Sequence, residues 1–194
     1  MHLSALQGSE TAAEGIEMKI YSVTEVLGKY FDWSKIPDQI LAQACSRGSI
    51  VHSACAARAL GGYVGRVPEL YSGYLHSFDQ WFEANVVETV LCEHRITCNA
   101  LCFTGRLDFV FRLYSGELAL VDIKTPAALG GSWGCQLAAY DYLLKLEGIT
   151  VDCMLSLRLK LRGGAALGQR YEGNRANHLN VFKSALNAHR NLMP

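Results

Sequence analysis

The chain has 194 residues, half of them hydrophobic and 19% charged, with a formal net charge of zero. That composition excludes a disordered chain and fits one domain with a sizeable core. No apolar run reaches the roughly 18 residues that span a bilayer, and residues 1–19 lack a basic start followed by an apolar stretch. A loose leader over 1–20 and a single cytoplasmic domain over 21–194, with no membrane contact, are expected. Cys45, Cys55, Cys92, Cys98, Cys102, Cys135 and Cys153 fall singly with no CxxC, which predicts reduced, mostly buried thiols.

In chain order, Ser22-Val-Thr-Glu25 forms a capping-box pattern opening a helix through Val26, Leu27, Tyr30 and Phe31. Pro37-Asp38 opens a longer helical stretch to Ala59, closed by Gly61-Gly62, and Gly48 is expected to break it in two. Pro68 starts a third helix carrying Leu70, Tyr74, Phe78, Trp81 and Phe82 at helical intervals. Strands follow at Val86–Thr97, Leu101–Leu113 and Glu117–Lys124, the last two joined by a turn at Ser115-Gly116. Cys92, Cys98 and Cys102 fall on facing strands of a hairpin. A helix is expected over Ser132–Glu147, a strand over Val151–Leu161, a Gly-rich connection, and a last helix from about Arg175. This order predicts an α/β (α+β) domain with a central mixed sheet flanked by helices.

Charge is unevenly placed. From Ser156 onward Arg158, Lys160, Arg162, Arg170, Arg175, Lys183 and Arg190 face one acid, Glu172. A basic C-terminal quarter is compatible with a phosphate-binding rim, or with an ordinary solvated surface.

The chemistry concentrates in Gly105-Arg-Leu-Asp108 and Asp122-Ile-Lys124-Thr125. Residues two apart on a strand share a face, so Asp122 and Lys124 project together while Val121 and Ile123 face the packed side. A hairpin through Ser115-Gly116 brings Asp108 near Asp122. Two converging carboxylates repel unless a cation lies between them, and a hard ion such as Mg²⁺ suits such a pair. A neighbouring lysine can position water or offset charge developing at phosphorus. Taken alone, a D-x-K triplet is common.

The surrounding residues add to it. Gly105-x-x-Asp108 followed by Val121-Asp122-Ile-Lys124-Thr125 resembles the core signature of PD-(D/E)XK nucleases, and more narrowly their RecB-like exonuclease branch. Arg47-Gly48-Ser-Ile-Val51-His52 resembles that branch's upstream helical motif, and Gln136-Leu-Ala-Ala-Tyr140 its motif after the lysine. Glu93 sits where members often carry a Glu on the preceding strand. The resemblance runs from about Cys45 to Leu144.

It implies a restriction-endonuclease-like core. It also implies metal ligation by His52, Asp108, Asp122 and the Ile123 carbonyl, a catalytic Lys124, and supporting roles for Gln136, Tyr140 and Glu93. A His beside two carboxylates admits Mn²⁺ as well as Mg²⁺. No cysteine follows Cys153, so no iron–sulfur cluster is expected, and no phosphate-loop motif is present, so no ATP. The expected function is a metal-dependent DNA nuclease, an exonuclease in recombination, repair or phage-type DNA processing. DNA would be held through its backbone by Arg47, Arg158, Lys160, Arg162, Arg170 and Arg175, with little base readout, and Trp133 could stack on an unpaired end. A recombination partner protein is compatible with this reading. Two rivals stand beside it: a structure-selective endonuclease or nickase, and a non-catalytic DNA-binding subunit.

Overall fold

The computed structural model describes residues 19–28, 37–126 and 130–191. The expected leader lies almost wholly outside them, as do Tyr30 and Phe31. In chain order the elements are β1 (Tyr21–Ser22), α1 (Val23–Gly28), α2 (Asp38–Ala59), α3 (Glu69–Asn85), β2 (Val86–Cys98), β3 (Phe103–Leu113), β4 (Leu118–Lys124), α4 (Trp133–Leu146), β5 (Cys153–Arg158), β6 (Leu167–Arg170) and α5 (Arg175–Asn191). The fold is mixed α/β, a six-stranded mixed sheet flanked by helices.

The helix starts follow local chemistry. Ser22 Oγ accepts the Glu25 N–H at 3.1 Å, the capping contact its sequence announces. Pro37 and Pro68 cap α2 and α3 from extended backbone. The break expected at Gly48 is absent, and α2 runs unbroken. One interior glycine costs about 1 kcal/mol, and Val51, Cys55, Ala56 and Ala59 anchor the later turns of the helix in the core.

Alternation on β4 assigns the two faces. Leu120 packs with α1, α4 and α5 in one cluster, and Ala119, Val121 and Ile123 pack with α2 and α3 in the other. Three elements depart from the expected pattern. β1 and β6 were not anticipated: the first is two residues long, and every residue of the second is exposed, so neither shows a period-two apolar signal. β5 spans Cys153–Arg158 only. Cys102 lies in the turn before β3 rather than on the strand, at φ 41°.

One topological feature builds the site. β2 pairs with β3 along its whole length, so β1 and β4 must share the opposite edge of β3. β1 takes Phe103 and Thr104, and β4 takes Phe109 through Arg112. The stretch between them, Gly105 to Asp108, has no strand on that edge. The glycine–aspartate motif is therefore the gap in the ladder, and the cleft opens there.

Candidate active site

Asp108 closes the fork where β3 and β4 part. Its Oδ2 accepts the Ile123 N–H at 2.8 Å, where the next ladder partner would have been. Ile123 itself is fully buried, so its peptide unit is fixed beside both acids. The alternation of β3 changes phase here: Leu107 packs towards α4, whereas Phe109, two residues on, packs against α2 and α3.

Asp122 and Lys124 share a face of β4 and both meet Gln136 on α4. Lys124 Nζ donates to Gln136 Oε1 at 2.8 Å. The Gln136 amide nitrogen donates to Asp122 Oδ1 at 3.1 Å and to the Tyr140 hydroxyl at 3.0 Å. Turning that amide over would set its NH₂ against the ammonium, so one orientation alone satisfies all three partners. Lys124 Nζ also stands 2.5 Å from Asp122 Oδ2 as a charge contact. Burial pushes the Asp122 carboxyl up to about 6, against the opposing pull of Lys124. Burial also raises the Tyr140 hydroxyl well above its ordinary range, so it serves as a neutral group.

Gly105 explains itself by packing. A Cβ there would lie 2.7 Å from Tyr140 Cε1 and 2.9 Å from Leu143 Cδ1, closer than side chains approach. The glycine lets α4 settle onto β3, which seats the helix face carrying Gln136 and Tyr140 against the site.

His52 comes from α2, with Nδ1 3.1 Å from Asp108 Oδ1. Burial lowers its pKa and Asp108 raises it, and the net shift is upward. Glu93 on β2 takes a left-handed φ of 50° and pairs its Oε2 with Arg106 Nε at 3.0 Å. Burial, then the neighbouring Asp108, pushes its carboxyl up. One ligand atom each from His52, Glu93 and Asp108 lies within 4.8 Å of the others. Asp122, expected in that set, is instead held by Lys124 and Gln136. Carboxylate oxygens with one imidazole nitrogen fit a hard divalent cation.

A cleft of about 480 Å³ gathers His52, Asp108, Asp122, Lys124, Gln136 and Tyr140. The same cleft is lined by residues not expected at the site: Ser22, Thr24, Arg95, Thr104 and Arg106. Arg106 lies inside the glycine–aspartate motif, and Arg95 is its direct partner across β2 and β3.

The expected basic rim divides. Arg158 and Lys160 line a separate cavity of about 280 Å³ with Thr125 and Pro126. Arg47 donates to Thr125 Oγ1 at 3.3 Å, and Arg162 is exposed. Arg170 instead binds Glu117 and Glu172, each at 2.5 Å, at the far end of β4 from Lys124. Arg175 clamps Asp141 at 2.9 Å and the Val151 carbonyl at 3.1 Å. Lys183 lies over the Tyr142 ring, and Arg190 donates to the Leu101 carbonyl. None of these four lines the cleft of the acids, and each holds a contact within the framework. Trp133 is only 7% exposed and lies 5.8 Å from Lys124 Nζ, so it walls the lysine rather than offering a stacking platform.

Among the described residues no helix is long and apolar enough to cross a membrane. No family model matches the chain, and no curated protein matches it. It is similar to a solved structure described as "Crystal structure of SSO0001", with 14% identity and a TM-score of 0.45, over 89% of this chain and 77% of that one.

Proposed function

We propose that the protein is a metal-dependent phosphodiester hydrolase acting on DNA as an exonuclease, on a restriction-endonuclease-like core. The observation that carries this reading is the Lys124–Gln136–Asp122 network set beside Asp108 and His52 in one cleft. A buried acid, a second acid and a lysine held at a fixed distance have no role in the core itself, since apolar residues would pack there at less desolvation cost.

His52, Glu93 and Asp108 would hold Mg²⁺ or Mn²⁺, with Asp122 and the Ile123 carbonyl completing the set once the ion draws the Asp122 carboxylate from Lys124. The bound ion would supply Lewis-acid polarisation of the phosphoryl group and a water more readily deprotonated. Gln136 Oε1 accepts a hydrogen bond from the Lys124 ammonium and Asp122 Oδ2 takes a second direction, which leaves one N–H for the cleft. That N–H would face the attacking water or a phosphoryl oxygen and offset the charge that grows there. Tyr140 holds Gln136 in place through its hydroxyl. Arg47, Arg158, Lys160 and Arg162 would hold the strand by its phosphates.

Incubation of labelled linear and circular DNA with Mg²⁺ or Mn²⁺ tests the reading. Loss of linear DNA only is the expected result. Cutting of circles would assign an endonuclease, and binding without any cleavage would assign a non-catalytic subunit.

A further inference from the structure

The lining of the cleft includes two arginines with no part in the proposed catalysis. Arg95 and Arg106 are directly opposed in the β2–β3 register, which puts their Cβ atoms about 5 Å apart on one face. Like charges placed so repel, and the fold keeps them together. Glu93 engages Arg106 through Nε alone, and the Arg106 side chain remains 61% exposed. Among the described residues nothing takes the terminal nitrogens of Arg106, and nothing takes the exposed side chain of Arg95. Both line the same cleft as Asp108, Asp122 and Lys124.

Sheet order gives this pair a direction. In sheet order Arg95 on β2 and Arg106 on β3 lie to one side of Asp122 and Lys124 on β4, and Arg158 on β5 lies to the other. An anion at Arg95 and Arg106 would relieve their repulsion and accept the guanidinium forks two bonds at a time, as phosphate oxygens do.

Resting on the nuclease reading, we infer that Arg95 and Arg106 form a second phosphate subsite, which holds an internal phosphodiester of the substrate strand next to the scissile one. Glu93 positions Arg106 for it by fixing Nε and leaving the terminal nitrogens outward.

The test is binding of a short labelled DNA duplex by the full chain in Ca²⁺, read by fluorescence anisotropy across a salt series. Arg95→Ala touches no described partner and keeps the fold. Arg106→Lys keeps the charge and loses the fork. Each variant should bind roughly tenfold more weakly, and Arg95→Ala should lower the salt slope by about one. Arg112→Ala, the same charge change at the far end of β3, should leave the slope unaltered. A neutral methylphosphonate placed at successive linkages should weaken wild type at one position near the cut, and should weaken Arg95→Ala no further there. Unchanged slopes, or an equal methylphosphonate loss in wild type and variant, would overturn the subsite. A loss that follows only removal of a terminal phosphate would overturn its assignment to an internal linkage. Cleavage that ignores both arginines would sink this inference alone. Arginine-dependent binding without cleavage would uphold it and sink the nuclease, and absence of DNA binding would sink both.

Discussion

The carboxylate of Asp108 replaces a strand: its Oδ2 takes the Ile123 N–H at 2.8 Å at the point where β4 leaves β3. The same side chain reaches His52 with its other oxygen. Structure and chemistry are thus joined in one residue, and substitutions should separate them. Asp108→Ala leaves a buried N–H unpaired and should cost about 1–3 kcal/mol, seen as a lower Tm. Asp108→Asn retains a carbonyl acceptor and should melt close to wild type while losing cation binding and cleavage. Equal melting losses in both variants would contradict the capping role.

Gly105→Ala should act at a distance from any polar group. Its Cβ meets the Tyr140 ring and Leu143, and such overpacking costs about 1–3 kcal/mol. As Tyr140 shifts, Gln136 loses its anchor and kcat should fall. Tyr140→Phe removes only the hydroxyl bond and should reduce kcat less, with little change in Tm. Thermal melts and single-turnover rates on both variants check this.

In the proposed mechanism Gln136 positions Lys124 through the hydrogen bond it accepts. Gln136→Ala should cut kcat roughly tenfold to a hundredfold with a small change in KM, because Lys124 is then held by Asp122 alone. Gln136→Glu would set a third carboxyl against Asp122 and should raise the requirement for the divalent cation. A rise in KM alone would place Gln136 in substrate binding instead.

The far end of the sheet gives a pH prediction free of the site. The Arg170 hydrogen bond, and then that of Ser115, hold the Glu117 carboxyl below its ordinary range. A carboxyl depressed on folding stabilises the protein above its unfolded value, near 4.3, and that gain is lost as pH falls through the folded value. Glu117→Gln should therefore lower Tm at about pH 7, and the gap from wild type should close near pH 3. A gap that persists in acid would contradict the pairing.

Much of the site was legible because it is local. The turn at Ser115-Gly116 sets the β3–β4 register, and that register brings Asp108 to Asp122. The i, i+4 spacing of Gln136 and Tyr140 puts both on one helix face. Arg95 and Arg106 were not legible, because the β2–β3 register follows two irregularities, between Val86 and Glu88 and between Thr89 and Leu91. A one-residue slip there exchanges the faces of the strand. The framework role of Arg170 and Arg175 was hidden for another reason: beyond the neighbouring Glu172, the acids they bind, Glu117 and Asp141, stand 53 and 34 residues away. Charge counted along the chain does not reveal such partners. β6 gave no signal because an exposed edge strand has no buried face to alternate.

The most direct measurement is the single-turnover rate of a labelled linear duplex with Mn²⁺, for wild type and for Lys124→Ala, with folding of both checked by their melting curves. Cleavage that requires the cation and falls roughly a hundredfold or more in Lys124→Ala is the predicted result. No cleavage by folded wild type, or an equal rate in the variant, would contradict catalysis by Asp108, Asp122 and Lys124.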